Sequence, residues 1–184
     1  MNDLPRFAIS VRQPWAFALF HGKHLENRVQ TAVRHMTARL KPGHNARLCI
    51  HAAQGMTRDE YEHGRDLIAK LVGHCPAPHE LVRGGIIGTV RFVDVINQST
   101  SPWFFGPKAL VFDEAQLLPA PIVCGGDLGF FEWRFAAEHC AAKGFTLQEP
   151  KPWMLKWRPA AGGETPAAPK YIYAAPAPLF DQEE

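Results

Sequence analysis

The segment from Ile86 to Ile96 constrains the fold more than any other part of the chain. It is a long run of apolar, largely β-branched residues that directly follows Gly84-Gly85. β-Branched side chains fit the pleated surface of a strand, and glycine pairs are typical of the turns that bound one. The sequence therefore predicts that this run is the central strand of a sheet.

The chain opens with a predicted strand and a short helix. From Arg6 to Val11, apolar and polar residues alternate, which is the period of a half-buried strand. Pro14 suits the first position of a helix because proline lacks the amide hydrogen that would have no partner there. Gly22 suits the end of that helix, so we predict a helix over Trp15–Phe20.

Two more strands are predicted, over residues 23–29 and 47–52. The stretch between them, residues 31–45, is basic, contains Pro42-Gly43 and shows no clean apolar period. Such a stretch is typical of a loop, so we expect an extended connector or a mobile loop there.

The clearest helix signal begins at Thr57. Glu60 lies three residues later and completes a capping-box pair, and Asp59 adds negative charge in the first turn, which the helix dipole favours. We therefore predict a helix over Arg58–Val72. Its apolar positions fall on one face: Tyr61, Ile68, Leu71 and Val72.

The remaining elements are short. Strands are predicted over residues 109–113 and 122–124, and a helix over 136–143 that ends at Gly144. Strands outnumber helices and do not form repeated βαβ units. This pattern favours an α+β fold with a mixed, barrel-like sheet, one helix between the first two strands and one longer helix after the third strand, over a doubly wound fold.

The length and composition indicate one domain and a tail. A chain of 184 residues is close to the size of a single domain. We place the domain, with a C-terminal helical extension, at residues 1–149. Residues 150–184 contain seven proline and seven alanine residues, which predicts a partly extended or disordered tail.

Charge is distributed unevenly along the chain. Residues 1–50 carry eight Lys/Arg against two acidic residues, whereas the other residues carry twelve against sixteen. Folded into one face, the first segment presents a positive field to an anionic partner such as nucleic acid. The alternative is a solvated surface whose charges are balanced by acidic residues from elsewhere in the chain.

Several classes of protein are not expected. No apolar run is long enough for a membrane helix and the start does not resemble a signal peptide, so we expect a cytoplasmic protein without a membrane partner. The four cysteines form no CxxC pair, which predicts buried thiols rather than a metal site. No nucleotide-binding glycine loop, HExxH or GxSxG motif occurs, and no cofactor is expected.

Five separated motifs resemble the ASCH domain of bacterial or phage type, a member of the PUA-like superfamily. They cover about residues 6–133 and are SVRQPW at 10–15, GKHLENR at 22–28, IHA at 50–52, GIIG at 85–88 and SPWFFGP at 101–107. The resemblance implies a small PUA-like β-barrel with a helix between the first two strands. It also implies a cleft beside this helix that binds RNA or another nucleic acid.

The motif residues supply the chemistry that such a cleft needs. Lys23 offers a mobile point charge for phosphate, and Arg12 and Arg28 can form bidentate contacts. Asn27 can read a base edge, and Glu26 either accepts from a base amino group or, as we prefer, holds the arginines. The candidate binding residues are Ser10, Arg12, Gln13, Trp15, Lys23, Glu26, Asn27, Arg28, Trp103, Phe104 and Phe105.

Each of the uncharged candidates also has a structural interpretation. Trp15 and the loop of Trp103, Phe104 and Phe105 can stack an unpaired base, or they can belong to the core. Ser10 and Gln13 are expected mainly to cap or brace the start of the first helix, with contact to a ligand as the less favoured interpretation.

Catalysis is the rival function, with Lys23, Glu26 and His51 as weak candidates. Small ASCH relatives deacetylate N4-acetylcytidine with a lysine, a threonine three positions later and a more distant glutamate, which cannot be placed in this sequence. Lys23 matches the lysine, but Glu26 stands in the position of the threonine and cannot replace its hydroxyl. The resemblance also leaves open a metal-free ribonuclease, in which Lys23 and His51 would stabilise charge and move protons. A pocket for a free modified nucleoside is a third alternative.

Overall fold

The structure, a computed structural model, describes residues 3–159. Six strands and five helices follow one another along this part of the chain. In chain order the elements are β1 (Phe7–Val11), α1 (Trp15–Leu19), β2 (Leu25–Arg28), α2 (Gln30–Arg39), β3 (Arg47–Ala52), α3 (Arg58–Val72), β4 (Gly85–Ile96), β5 (Lys108–Val123), β6 (Phe130–Glu132), α4 (Trp133–Ala142) and α5 (Pro152–Lys156).

The six strands form one curled, half-barrel sheet in the order β2-β5-β4-β3-β1-β6. The pair of β1 and β3 is parallel, and the other neighbours are antiparallel. β4 lies in the interior of the sheet, so the prediction of a central strand is confirmed. The coarse prediction of a mixed α+β fold with a curled sheet and a helix between its first two strands is confirmed as well.

Strand β2 at one edge does not pair with β1 through its backbone. Instead, the Arg28 guanidinium donates a hydrogen bond of 2.9 Å from Nη2 to the carbonyl oxygen of Ser10 on β1. A side chain thus joins two strands that are separated by three others in the order of the sheet.

The predicted connector over residues 31–45 is wrong for most of its length, because residues 30–39 form helix α2. Val33 and Met36 are buried in the main core, and Leu40 packs against it at the next turn. Their spacing of three and four residues places them on one helix face. No side chain caps the helix at Val29 and its first turn contains no acidic residue, so the usual start signals are missing.

Strand β5 is longer than predicted. The sequence predicts separate strands over residues 109–113 and 122–124, but one irregular strand extends from 108 to 123 and pairs with β4. The outer neighbour β2 pairs only with residues 108–111. Pro119 and Pro121 therefore lie where the outer edge is unpaired, a place at which a strand tolerates proline.

Helix α3 begins and ends as predicted. The Thr57 hydroxyl accepts from the Glu60 amide, and the Glu60 carboxylate accepts from the Thr57 amide. Gly73 ends the helix with φ at +87°, which glycine adopts without strain. The last predicted helix is also present, but as α4 it begins at Trp133 rather than at residue 136.

Two main clusters of apolar side chains stabilise this arrangement. The larger one joins the sheet to α1 and α2, and Ile9, Leu48, Val90 and Phe92 are at its centre. The second lies around α3, where the rings of Tyr61 and Trp157 pack edge to face with their centroids 5.1 Å apart. A smaller cluster beneath α4 contains two of the four free cysteines, all of which are buried as predicted.

The predicted tail is only partly described. Helix α5 lies within it, with Met154 buried, and residues 160–184 lie outside the described residues. Within residues 3–159, no helix has the length and hydropathy that crossing a membrane requires.

Candidate functional site

A cavity of about 740 Å³ lies beside α1. Residues of β1, β2 and α2 line it, together with the start of α1, Glu60 of α3 and the loop of residues 127–129. A volume of this size is typical of a site for a small ligand or for one group of a larger ligand.

Nine of the eleven predicted binding residues line this cavity or a second one of about 260 Å³. Trp15, Glu26 and Arg28 line both cavities, which therefore adjoin one another. Trp103 and Phe104 line neither of them. The main cavity also receives Ser10, Arg12 and Gln13, and the second receives Lys23, Asn27 and Phe105.

Lys23, Glu26 and Arg28 form a buried ionic cluster at the base of α1. The Lys23 ammonium lies 2.5 Å from Glu26 Oε2, and only 2% of the lysine side chain is exposed. The Arg28 guanidinium contacts the other oxygen of the same carboxylate. The expectation of a mobile lysine charge in the opening is wrong, because Lys23 is committed to a buried partner. The expectation that Glu26 holds the arginines is confirmed for Arg28 alone, because Arg12 pairs with Glu60.

The cluster shifts the pKa of both ionised groups. Burial lowers the pKa of Lys23, against the opposing effect of the Glu26 charge. For Glu26, burial alone would raise the pKa, but the charges and hydrogen bonds of Lys23 and Arg28 outweigh it and hold the pKa below its ordinary value of 4.5. Glu26 is therefore an ionised acceptor at neutral pH.

The lowered pKa of Glu26 predicts a specific acid sensitivity. A carboxylate with a lower pKa in the folded state stabilises the fold above its ordinary pKa, and this contribution is lost as the pH falls through the folded pKa. We expect the free energy of unfolding, measured in urea, to fall more steeply below pH 4.5 for the wild type than for Glu26→Gln. Parallel curves for the two proteins would contradict this prediction.

Arg12 is paired as well. One of its terminal nitrogens lies 2.5 Å from Glu60 Oε1, and its Nε donates to the carbonyl oxygen of Gly55 at 3.2 Å. Both arginines in the main cavity therefore have a carboxylate partner, and the interior is close to neutral. This balance favours an uncharged, polar group inside the cavity over a phosphate.

The side-chain amide of Asn27 forms hydrogen bonds with the protein's own backbone, so it is not available to read a base edge as predicted. Its amide nitrogen donates to the carbonyl oxygen of Trp103 at 2.9 Å, and its oxygen accepts from the amide of Phe105 at 2.8 Å. These two bonds hold the aromatic loop against β2. Trp103 belongs to the core at 5% exposure, whereas Phe105 is 57% exposed and contacts Trp15 edge to face at 6.2 Å.

Gln13 and His51 have structural partners of their own. The Gln13 oxygen accepts from the amide of Phe17 and its nitrogen donates to the carbonyl oxygen of Val82, so the predicted brace of α1 is confirmed for Gln13. For Ser10 the prediction is wrong, because its hydroxyl contacts His51 and the carbonyl oxygen of Asp127 instead of α1. His51 is buried and lies beside Ser10 in a third cavity of about 350 Å³. Lys23 and His51, the pair considered for a ribonuclease, line different cavities.

No family model matches the chain. A search of curated proteins likewise returns no significant match. The resemblance to ASCH domains therefore stays a prediction, and the geometry of the cavity is the basis on which a function is proposed.

Two groups of residues that line the main cavity were not predicted from the sequence. Thr31, Ala32, His35 and Met36 of α2 line it, in the segment for which the sequence predicts a loop. The apolar spacing of Val33, Met36 and Leu40 was the signal that could have shown this helix. The second group, residues 127–129, follows a glycine pair and includes Leu128, which is 92% exposed. No periodic pattern in the sequence predicts that these residues line a cavity.

Proposed function

We propose that the chain is a nucleic-acid-binding module, with RNA as its preferred partner, that takes one unpaired base into the 740 Å³ cavity. Trp15 supplies an aromatic wall, and Arg28 and Arg12 supply guanidinium planes and hydrogen-bond donors. The observation that carries the proposal is the convergence of these three side chains on one cavity.

The charges around the cavity support an arrangement with the base inside and the phosphates outside. The arginines within the cavity are already paired with carboxylates. By contrast, Arg34, Arg39 and Lys41 on and after α2 are exposed and form no ion pair with any described residue. The sequence from residue 30 to 44 contains no acidic residue at all. A neutral base therefore fits the interior, and a phosphate backbone fits the outer face of α2.

Aromatic side chains at the second cavity extend the same surface. Phe105 is more than half exposed and stands edge to face against Trp15. A base adjacent to the inserted one can stack there, and such stacking contributes about 1–3 kcal/mol per base. Single-stranded or looped RNA presents bases in this way, whereas a duplex does not.

The fold assignment is part of the proposal. We assign the domain to the PUA-like superfamily and to the ASCH group within it, and the curled sheet and the position of α1 support this assignment. We place the module in the cytoplasm, where its four buried free thiols remain reduced.

Binding can be measured with a fluorescein-labelled, single-stranded RNA of mixed sequence, by anisotropy at low salt. We expect Arg34→Gln/Lys41→Gln to weaken binding by about tenfold and to reduce the dependence on salt, since each lost phosphate contact lowers that slope by roughly one unit. Lys143→Gln/Lys156→Gln removes the same amount of charge from exposed positions at the end of α4 and in α5, and it should leave affinity nearly unchanged.

The same experiment distinguishes between classes of ligand. Single-stranded DNA and duplex RNA serve as parallel probes, and free nucleosides serve as competitors. Equal affinity of both double variants, or no binding of any nucleic acid at low salt, contradicts the proposal. Binding of a free modified nucleoside with little dependence on salt would instead identify a nucleoside pocket, because a neutral ligand releases no counterions.

A further inference from the structure

Ser10 and His51 lie side by side on the two parallel strands β1 and β3. They are direct partners in the register of these strands, and Ser10 Oγ lies 3.1 Å from His51 Nδ1. Ser10 lines both the 740 Å³ cavity and the 350 Å³ cavity, so its hydroxyl lies where the two meet. His51 lines the smaller cavity and is only 1% exposed. A hydroxyl within hydrogen-bond reach of a base is the arrangement of an activated nucleophile.

The surroundings of His51 fix the orientation and tautomer of its ring. Nε2 lies 3.0 Å from the carbonyl oxygen of Cys124, and because a carbonyl only accepts, Nε2 carries the proton. In the neutral ring, Nδ1 is then an acceptor that faces Ser10. Burial lowers the pKa of His51, against the opposing effect of the bond to Cys124, so the neutral ring predominates at neutral pH.

A glycine in the loop after β5 allows backbone to pass directly against this pair. A Cβ added at Gly126 would lie 2.4 Å from His51 Cε1 and 2.7 Å from Ser10 Oγ, distances that no side chain tolerates. The Ser10 hydroxyl also lies 3.0 Å from the carbonyl oxygen of Asp127, so this carbonyl and His51 share its single proton. Among the described residues, the amides of Gly126 and Asp127 form no hydrogen bond, so the loop beside Ser10 has free donors.

We propose that Ser10 and His51 form a catalytic pair that hydrolyses small carboxylic esters, an activity separate from nucleic-acid binding. His51 Nδ1 accepts the Ser10 proton while Oγ forms a bond to the ester carbonyl carbon. The bond from that carbon to the alcohol oxygen breaks, and the alcohol leaves with the proton from His51. Water then attacks the acyl-serine by the same steps and releases the carboxylic acid.

The test uses the full chain and p-nitrophenyl acetate. We expect p-nitrophenol to be released in a burst followed by slower turnover, and acid-quenched peptide mapping to find the acetyl group on Ser10. Ser10→Ala should remove both this adduct and the burst, because no acyl-serine can form without the hydroxyl. Ser99→Ala removes an exposed hydroxyl outside both cavities and should change neither measurement.

A second variant tests the base itself. His51→Gln keeps a side-chain amide that can donate to the Cys124 carbonyl but removes the basic nitrogen beside Ser10, so the Ser10 adduct should form about a hundredfold more slowly. In the wild type, the acetylation rate should rise with pH through an inflection below 6.5, the ordinary pKa of histidine. Circular dichroism establishes that each variant is folded. The proposal is overturned if folded wild type forms no Ser10 adduct, or if folded His51→Gln forms it at the wild-type rate.

Discussion

Lys23→Met is expected to lower the free energy of unfolding by about 3–5 kcal/mol, the usual cost of removing one partner from a buried ion pair. Methionine approximates the length of the lysine stem, so the loss is mainly electrostatic. The Glu26 carboxylate, with 8% of its side chain exposed, would remain buried with Arg28 as its sole charged partner. Urea unfolding followed by tryptophan fluorescence measures the change.

Two further variants separate the ion pair from general effects of lysine replacement. Lys143→Met removes an exposed lysine that forms no ion pair with any described residue, and it should change stability by no more than about 0.5 kcal/mol. Lys23→Met/Glu26→Gln removes both charges and should cost less than the sum of the single changes, because the two side chains are in contact. A loss below about 1 kcal/mol for Lys23→Met would refute this account of the cluster.

Arg83→Met is expected to cost about 3 kcal/mol and to release the segment that leads to α5. Arg83 is 1% exposed and donates to the carbonyl oxygens of Gln54, Gln148 and Glu149 at 3.0, 3.4 and 2.6 Å. Hydrogen bonds from a charged donor contribute about 1.5–3 kcal/mol each when they are well formed. The Gln148 amide donates back to the Arg83 carbonyl, so one residue attaches this segment at several points.

Limited proteolysis and hydrogen exchange measure the release. We expect faster cleavage between residues 144 and 151 and faster exchange of the Gln148 amide in Arg83→Met under native conditions. Arg158→Met is the matched control, since Arg158 is exposed and bonds only to carbonyl groups of its own turn. Cleavage and exchange at the wild-type rates in Arg83→Met would show that other contacts hold the segment.

The parts of the fold that could be predicted from sequence are those whose signals are local. The capping box at Thr57 and the apolar run of β4 each predict their element from residues that are close together in the sequence, and both elements are present. Helix α2 was not predicted because it lies in a basic segment, buries only Val33 and Met36, and has no side-chain cap. Its stability comes from packing against the sheet, which no local pattern reports.

The candidate site shows the same division. Residue types and spacing were enough to bring nine of eleven side chains to adjoining cavities. They were not enough to predict the burial and the hydrogen-bond partners of each side chain. Lysine is almost always exposed, so the burial of Lys23 against Glu26 contradicts the expectation from residue type. The use of Asn27 by the aromatic loop depends on residues 76 and 78 positions away.

One side chain, rather than a ladder of backbone bonds, links β2 to β1. This side chain, Arg28, also lines both adjoining cavities. Rotation of the guanidinium away from the Ser10 carbonyl would also break its ion pair with Glu26, so the buried carboxylate holds this link between β1 and β2 in place. Any ligand that occupies the 740 Å³ cavity therefore lies against the residue that joins these two strands.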